Sequence, residues 1–397
     1  MPQNNQKKII ANTAYTMGGA LLMNGVLQLM IYPLLNRSMG SSQLGVLLYI
    51  MGLVAVICPS VGQALNTSRL VVRRNFQVKN GDYDLLLLLF GGAGAAAVLL
   101  LTAWSGSVKG VGSAGLIVLL LMATTFRYYG DVEYRLNLNY KRYFCYYAVL
   151  SAGYAAGFLI YCASGNWFLV FLAGEAAALG YLAVTGTVFR GFFGRSPYLK
   201  LAFVRGGMLV FSYFITNLTL NMDRLVLKNM ISDLAVTQYY VTSLIGKTMV
   251  LLVAPVNTLI ISYLTNKNTR LNRRQFLVFS GTGLGVSLAF FLAAQIGTPL
   301  FVRLFYGDLY ESVWELVTVV NISQILGLFS AYLFIVVLTF TEEKWQLILQ
   351  IGHLILMVVL VAFLTGSHGI MGFSVAVLTA NILRVAAVLL LGIWKAR

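Results

Sequence analysis

Long apolar stretches, separated by short polar segments, run along the whole chain. A helix needs about 20 mostly apolar residues to cross the hydrocarbon core of a bilayer, and twelve stretches meet that requirement. The predicted spans cover residues 9–35, 43–65, 84–105, 112–130, 143–163, 166–189, 201–224, 235–264, 274–302, 312–340, 345–365 and 369–394. The pattern therefore predicts an all-α polytopic membrane protein with 12 transmembrane helices.

Composition excludes a soluble globule of this length. Hydrophobic residues make up 59% of the 397 positions and charged residues only 10%, whereas soluble domains carry about 25% charged residues. Cys58, Cys145 and Cys162 lie in apolar stretches and lack the CxxC spacing of a metal site. No nucleotide-binding GxxxxGK[ST] motif occurs in the sequence. We therefore expect neither a cofactor nor a metal.

The basic residues are distributed unevenly between the two sides of the predicted membrane. The chain holds 28 Lys and Arg against 12 Asp and Glu, a net charge of +16. Of the basic residues, 21 lie at one set of span ends, 5 lie at the opposite ends, and 2, Lys247 and Arg384, lie inside spans. Because cytoplasmic loops are enriched in Lys and Arg, both termini are predicted to be cytoplasmic. The excess then reflects orientation beside anionic lipid headgroups and not nucleic-acid binding.

Six spans per half would give two halves of the same orientation, an arrangement that many transporters share. Residues 35–45, between spans 1 and 2, are weakly similar to residues 227–237, between spans 7 and 8. We expect an N-terminal six-helix bundle at 1–189, a cytoplasmic link at 190–200 and a C-terminal six-helix bundle at 201–397.

Span 7 is polar along half of its surface. Its polar residues form two neighbouring stripes at helical spacing: Ser212, Thr216, Thr219 and Asp223, and beside them Tyr213, Asn217, Asn221 and Arg224. A polar face cannot point at lipid, so it must face a bundle interior or a wet cavity. Cavity lining is the favoured interpretation, and hydrogen bonding that only holds helices together is the alternative.

Two cations are predicted to lie deep in the membrane. Lys247 shares a face of span 8 with Tyr240, and Arg384 lies in span 12. Each charge costs at least ~2.5–3.5 kcal/mol at the membrane centre, so an anionic ligand, water or a carboxylate must offset it. Glu175, in span 6, is the candidate carboxylate, and a structural pair with Lys247 or Arg384 is the alternative to a functional role.

Other polar residues inside spans are fewer. Asn24, Gln28 and Tyr32 lie on one face of span 1. His353, in span 11, is interpreted as a buried, hydrogen-bonded histidine, with proton relay as the alternative.

Cations outnumber carboxylates inside the predicted bundle and at its mouths. The cations are Lys247, Arg384, Arg224, Arg37, Arg127 and Arg205, and the carboxylates are Glu175 and Asp223. A cationic cavity favours an anionic substrate, and the planar donor fork of Arg suits phosphate oxygens. Anchoring to headgroups outside a cavity is the alternative for Arg37, Arg127 and Arg205.

Several segments carry a resemblance to a known family. They are residues 12–15 (NTAY), 33–40 (PLLNRSMG), 61–65 (VGQAL), 134–143 (YRLNLNYKRY) and 221–227 (NMDRLVL). Together they resemble the Wzx-type oligosaccharide flippases of the multidrug/oligosaccharidyl-lipid/polysaccharide exporter superfamily.

The resemblance implies an alternating-access flippase of the bacterial inner membrane, with two six-helix bundles around a central cavity. Its substrate would be an undecaprenyl-diphosphate-linked oligosaccharide repeat unit for O-antigen-like surface polysaccharide, and its partners would be membrane lipid and, by contact, a polysaccharide polymerase and glycosyltransferases. The expected headgroup contacts are Arg224, Lys247 and Arg384. The expected sugar contacts are Asn217, Asn221, Tyr240, Asn24 and Gln28. Asp223 and Glu175 would orient the cations or couple an ion.

Two rival functions remain open. A cation-coupled multidrug exporter of the same superfamily needs a decisive carboxylate in the first half, for which Glu175 is the candidate. A membrane glycosyl polymerase or ligase needs catalytic Asp, Glu or His in a large loop, and every predicted loop is short. We therefore expect a transporter and not an enzyme.

Overall fold

The computed structural model describes residues 3–108, 110–266 and 272–396. Some basic residues that entered the charge distribution lie outside the described residues: Lys109, Lys267, Arg270, Arg397 and the side chains of Lys7 and Lys8. The 21:5 distribution and the cytoplasmic placement of both termini therefore stay predictions.

Within the described residues, every regular secondary-structure element is a helix. In the first part these are α1 (Gln3–Gly25), a π-helical turn (Val26–Ile31), α2 (Tyr32–Met39), α3 (Ser41–Val72), α4 (Asn80–Trp104), α5 (Val111–Gly130), α6 (Val132–Leu136), α7 (Tyr140–Ser164), α8 (Phe168–Thr185) and α9 (Leu199–Met230). In the second part they are α10 (Asp233–Asn266), α11 (Arg273–Phe305), a 3-10 turn (Gly307–Leu309), α12 (Tyr310–Leu338) and α13 (Glu343–Lys395).

Ten helical segments of the described chain are long and apolar enough to cross a membrane. This confirms the predicted all-helical, multi-pass class. The predicted count of twelve stays a prediction, since α10 is not among the ten and the spans at 345–365 and 369–394 fall in one continuous segment, Ile348–Lys395.

The chain divides into two compact units, Met1–Leu225 and Val226–Arg397. We call them the N-terminal unit and the C-terminal unit. The division expected from the sequence is different, because it places α9 in the C-terminal bundle at 201–397. That expected division stays a prediction.

Small residues let helices of the N-terminal unit approach closely. Gly153 and Gly157 form a GxxxG pair on α7, and a Cβ at Gly153 would lie 3.0 Å from the Cβ of Ala177 on α8. Such pairs stabilise helix contacts in membranes, where lipid supplies no hydrophobic driving force for association.

α13 is a hairpin of two helical legs. Gly369 breaks the helix with φ 57° and ψ −138°, after which Gly372 passes against the backbone of Leu364. At the far end the rings of Trp345 and Trp394 meet edge to face with centroids 5.6 Å apart. The two legs therefore run antiparallel over their whole length.

We expect Gly369→Ala to lower the free energy of unfolding, because a Cβ at positive φ costs about 1–2 kcal/mol. Gly366→Ala is the matched control, since its added Cβ meets nothing within 4 Å and it lies in a helix, where Ala is the better residue. Thermal unfolding of both variants in detergent tests this, and equal melting temperatures would contradict it.

Candidate functional site

A buried ion pair lies in the core of the N-terminal unit. Arg127 Nε on α5 donates to Glu175 Oε2 on α8 at 2.6 Å, with the two side chains 3% and 2% exposed. Tyr154 donates to the other carboxylate oxygen at 3.2 Å, and the guanidinium lies 4.1 Å from the ring centroid of Tyr128. Glu175 therefore has a full set of partners within its own unit.

This pair corrects two sequence interpretations. The sequence offered Lys247 or Arg384 as the structural partner of Glu175, and that was wrong because Arg127 is the partner. Headgroup anchoring was also wrong for Arg127, whereas Arg37 and Arg205 are exposed. Helical periodicity gives the face of a residue but does not say which helices are neighbours, so the pairing could not be read from spacing.

An exposed ion pair gives a useful contrast. Lys344 Nζ lies 2.5 Å from Glu342 Oε2 outside the membrane segments, with the side chains 61% and 66% exposed. The hydrogen bond and charge of Lys344 hold the pKa of Glu342 below its usual value. Water screens such a pair, so it contributes little to stability.

Further carboxylates are buried beside arginines in the N-terminal unit. Asp131 accepts from Asn66, from Tyr147 at 2.9 Å and from Arg135 at 3.2 Å. Asp84, on α4, is fully buried, and neither of its oxygens has a hydrogen-bond partner among the residues that the structure describes.

Arg69, an arginine near these carboxylates, also belongs to the interior. Arg69, only 7% exposed, donates to Tyr129 and Asn80, and together with Arg195 it acts electrostatically on Asp84. Arg69 and Arg195 were counted among the orientation charges, but they bind protein groups. Sequence reasoning missed Asp84 and Asp131 because both lie at the edges of predicted spans, where a charge looks unremarkable.

The predicted link between the halves is tied to the start of α4. Asp82 accepts from the backbone N–H of Lys79 and of Ser196, each at 2.9 Å. Asn80 donates to the carbonyls of Thr187 and Arg190 at 2.9 and 2.7 Å. The stretch 187–196 is therefore held within the N-terminal unit.

One polar stripe of α9 packs on α3. Asn217 donates to Ser60 Oγ at 3.0 Å, and the hydroxyls of Tyr213 and Thr67 are 3.3 Å apart. The stem of Arg224 lies against Gly52, where a Cβ would be 3.1 Å away. These contacts run in opposite order along the two helices, so α3 and α9 are antiparallel.

Other polar groups of α9 are satisfied by its own backbone. Thr216, Thr219 and Asn221 donate to carbonyls four residues earlier at 3.1, 2.8 and 2.9 Å. Asp223 is buried, 7% exposed. Back-bonding of this kind makes a polar helix tolerable within a membrane, and it leaves the predicted cavity role of the stripes an open prediction.

The predicted stripe on span 1 crosses the π-helical turn. Asn24 donates to the carbonyl of Ala20 at 2.9 Å, Gln28 lies within the turn, and Tyr32 is 5% exposed. π-helical turns occur frequently at functional sites.

In the C-terminal unit, Lys247 lies beside aromatic side chains. Its ammonium is 6.0 Å from the ring centroid of Tyr239, which packs edge to face on Phe373 at 5.0 Å. Tyr240 is 2% exposed. A cation over a ring face is attracted by the quadrupole of the ring.

Arg384 is half-buried and acts electrostatically on His353. Within the described part of the chain, Arg384 makes no hydrogen bond and no ion pair. Asn381, three residues earlier, donates to the carbonyl of Ser323 at 2.9 Å. The described residues contain no cluster of three or more metal-binding side chains.

We expect Glu175→Gln to destabilise the protein by about 3–5 kcal/mol, because it leaves Arg127 buried without a counter-charge. The double variant Arg127→Met with Glu175→Leu should recover most of that loss. Lys344→Gln is the matched control at an exposed pair and should change stability by less than about 1 kcal/mol. Thermal unfolding measures all three, and a Glu175→Gln protein as stable as the wild type would contradict a structural role for the pair.

No family model matches the sequence, and no curated protein matches it significantly. Solved structures do match. An inward-facing structure of a multidrug resistance MATE family transporter of the MOP superfamily shares 16% identity, with a TM-score of 0.62 over 97% of this chain and 94% of that one.

An outward-facing structure of a multidrug resistance MATE family transporter shares 14% identity, with a TM-score of 0.62 over 98% and 95% of the two chains. A MATE structure in a bent conformation shares 13% identity, with a TM-score of 0.61 over 98% and 95%. At such identities the likeness establishes the fold alone. The chain therefore has the fold of MATE transporters of the MOP superfamily.

Proposed function

We propose that this protein is an alternating-access flippase of the bacterial inner membrane. It moves an undecaprenyl-diphosphate-linked oligosaccharide repeat unit for the synthesis of surface polysaccharide. The fold supports a transporter, and the distribution of buried charge supports an anionic cargo.

The observation that carries the proposal is a difference between the two units. In the N-terminal unit Glu175 is paired with Arg127 and Asp131 with Arg135. In the C-terminal unit the half-buried Arg384 has no carboxylate partner among the described residues. An arginine in hydrocarbon needs compensation, and a phosphate of the cargo would supply it.

The physical task of such a flippase is to replace water around a polar headgroup. Arg224, Lys247 and Arg384 would bind the diphosphate, because cations offset its charge. Sugar hydroxyls would meet Tyr240 and the amides of span 1 and α9: Asn24, Gln28, Asn217 and Asn221. Since Asn24, Asn217 and Asn221 already use an amide N–H within the protein, their carbonyl oxygens are the groups that would accept from sugar.

Movement would follow the pattern of transporters built from two halves. The polyprenyl tail stays in lipid while the halves rock and expose the headgroup to one side and then to the other. Asp223, adjacent to Arg224 on α9, would orient that cation. Contacts with a polymerase or glycosyltransferases would follow from the same cargo.

A cation-coupled multidrug exporter is the second candidate, because the matched structures include multidrug resistance transporters. It needs a carboxylate that can meet a cationic drug. Glu175 is occupied by Arg127, and Asp84, another buried carboxylate of the N-terminal unit, has Arg69 and Arg195 acting on it electrostatically. We therefore place this function second.

We expect Lys247→Gln and Arg384→Gln each to reduce surface polysaccharide by about 30-fold or more, because loss of a buried charge partner costs at least ~2 kcal/mol. Protein levels should not change. Lys344→Gln removes an exposed cation and is the matched control. Surface polysaccharide is measured in a deletion strain that is complemented with each variant.

Normal polysaccharide in both Gln variants would contradict their role in the headgroup site. Drug susceptibility of the same strains distinguishes the flippase from the multidrug exporter. If the protein is a drug exporter, its deletion should make the cells more sensitive to drugs and leave surface polysaccharide intact. An enzyme of chain growth would change chain length, whereas a flippase defect leaves single lipid-linked units on the cytoplasmic side.

A further inference from the structure

We infer that His353 and Arg384 form a proton-linked binding site for a phosphate group in the C-terminal unit. The inference deepens the proposed function, on which it rests for the identity of the cargo. It adds His353 to Arg384 as a group that binds the diphosphate of the cargo, and makes His353 the group that takes up a proton when the anion binds.

The register of the α13 hairpin brings the two residues together. The rings of Trp345 and Trp394 meet at the open end of the hairpin, and Gly372 passes against Leu364 at the closed end. Counting inward from the two contacts places His353 opposite residues 383–386, the helical turn that contains Arg384. The electrostatic action of Arg384 on His353 is a separate sign of the same proximity.

A third side chain completes the site. The amide of Asn381 is within hydrogen-bonding reach of the His353 ring. Its Nδ2 is fixed on α12 by the carbonyl and the hydroxyl of Ser323, at 2.9 and 3.3 Å. Gly327 leaves room for it, since a Cβ there would lie 3.4 Å from the Asn381 amide nitrogen. The site therefore rests on α12 and on both legs of α13.

Two polar groups of the site lack hydrogen-bond partners among the described residues. His353 Nε2 is buried without a hydrogen-bond partner, and Arg384 has no partner among the residues that the structure describes. A guanidinium offers five N–H donors in a planar fork and cannot lose its charge in a protein. A ligand that satisfies these groups must accept several hydrogen bonds and carry negative charge, as a phosphate does.

The site lies so deep in the membrane that the charge of Arg384 must be offset by a ligand, by water or by an opposite charge. His353 lies about 12 Å along its leg from Trp345, and Arg384 lies about 15 Å along the other leg from Trp394, at 1.5 Å per residue. Tryptophans concentrate at the membrane–water interface, so both side chains lie well inside the hydrocarbon. Arg384 is too deep to place its charge in bulk water by extending its side chain alone.

Proton uptake follows from the charges that face the ring. Arg384 is the charged group near His353 among the described residues of α12 and α13, and a second cation beside it would be repelled. A phosphate between them reverses this balance. The imidazole takes one proton from water and the resulting N–H donates to a phosphate oxygen, with no covalent bond made or broken.

The test is calorimetric titration of the full-length protein in phosphatidylcholine nanodiscs with inorganic pyrophosphate. Pyrophosphate itself changes its protonation state over this pH range. The informative quantity is therefore the change in its affinity with pH, compared between the wild type and His353→Gln. Between about pH 8 and about pH 6 the wild type should gain about tenfold more affinity than the variant, because one extra proton is bound with the ligand. Buffers of different ionisation heat should report about one more proton taken up by the wild type.

The other variants keep the test decisive. Arg384→Gln should abolish binding at both pH values. Arg384→Lys keeps the charge but loses the fork, and it should weaken binding while keeping the pH dependence. His368→Gln is the matched control, since His368 lies at the closed end of the hairpin and bonds Ser367 Oγ at 2.8 Å; it should behave as the wild type.

Identical pH dependence in wild type and His353→Gln, or binding that survives Arg384→Gln, would overturn the inference. So would loss of pyrophosphate binding in phosphatidylglycerol nanodiscs, which would assign the site to a membrane-lipid phosphate. A different result would contradict the proposed function alone: proton-linked binding is present, but deletion of the protein leaves surface polysaccharide intact. The converse result, no binding but lost polysaccharide on deletion, overturns only this inference.

Discussion

The cost of a charge in hydrocarbon is the constraint on which this structure depends. Each ionised group inside a membrane must be matched by an opposite charge, by water or by a ligand. In the N-terminal unit the protein supplies the match itself, most completely where Arg127 meets Glu175 with Tyr154 as a further donor. In the C-terminal unit Arg384 lacks such a match among the described residues. The same rule therefore distinguishes the paired charges of the N-terminal unit from Arg384, for which we propose a ligand as the compensating group.

The paired charges of the N-terminal unit and Arg384 of the C-terminal unit have different tasks in the proposed mechanism. The N-terminal unit is held together by buried hydrogen bonds, from the Asp131 network to the stretch 187–196 bound to the start of α4. The C-terminal unit presents cations beside aromatic and amide groups, with Lys247 near Tyr239 and Arg384 near His353. A headgroup that carries phosphate and sugar fits this combination, since aromatic and amide groups suit sugars and cations suit phosphate.

Much of the fold could be predicted from the sequence because it depends on local rules. Apolar runs of membrane-spanning length gave the helical elements, and the structure has a helix at each predicted span. Gly369 joins two predicted spans by a break that only its positive φ reveals. The π-helical turn at Val26–Ile31 left no signal in the hydrophobic pattern, which cannot distinguish it from an α-helix.

The candidate sites were harder to predict, because they depend on which helices are neighbours. Spacing placed Asn217 and Arg224 on one polar face, but only packing shows that this face contacts Ser60 and Gly52 of α3. Spacing also identified Glu175 as a buried carboxylate and could not name Arg127 as its partner. His353 was interpreted as a buried, hydrogen-bonded histidine; its ring lies within hydrogen-bonding reach of the Asn381 amide, while its Nε2 has no hydrogen-bond partner among the described residues, and periodicity contains neither fact.

The most direct measurement is flipping by the purified protein in proteoliposomes. A polyprenyl-diphosphate-linked oligosaccharide is incorporated, and the fraction accessible to an external sugar-modifying enzyme is followed with time. The account predicts that the wild type exposes the inner pool, that Arg384→Gln does not, and that Lys344→Gln behaves as the wild type. Equal exposure by the wild type and Arg384→Gln, or none by the wild type above protein-free vesicles, would contradict it.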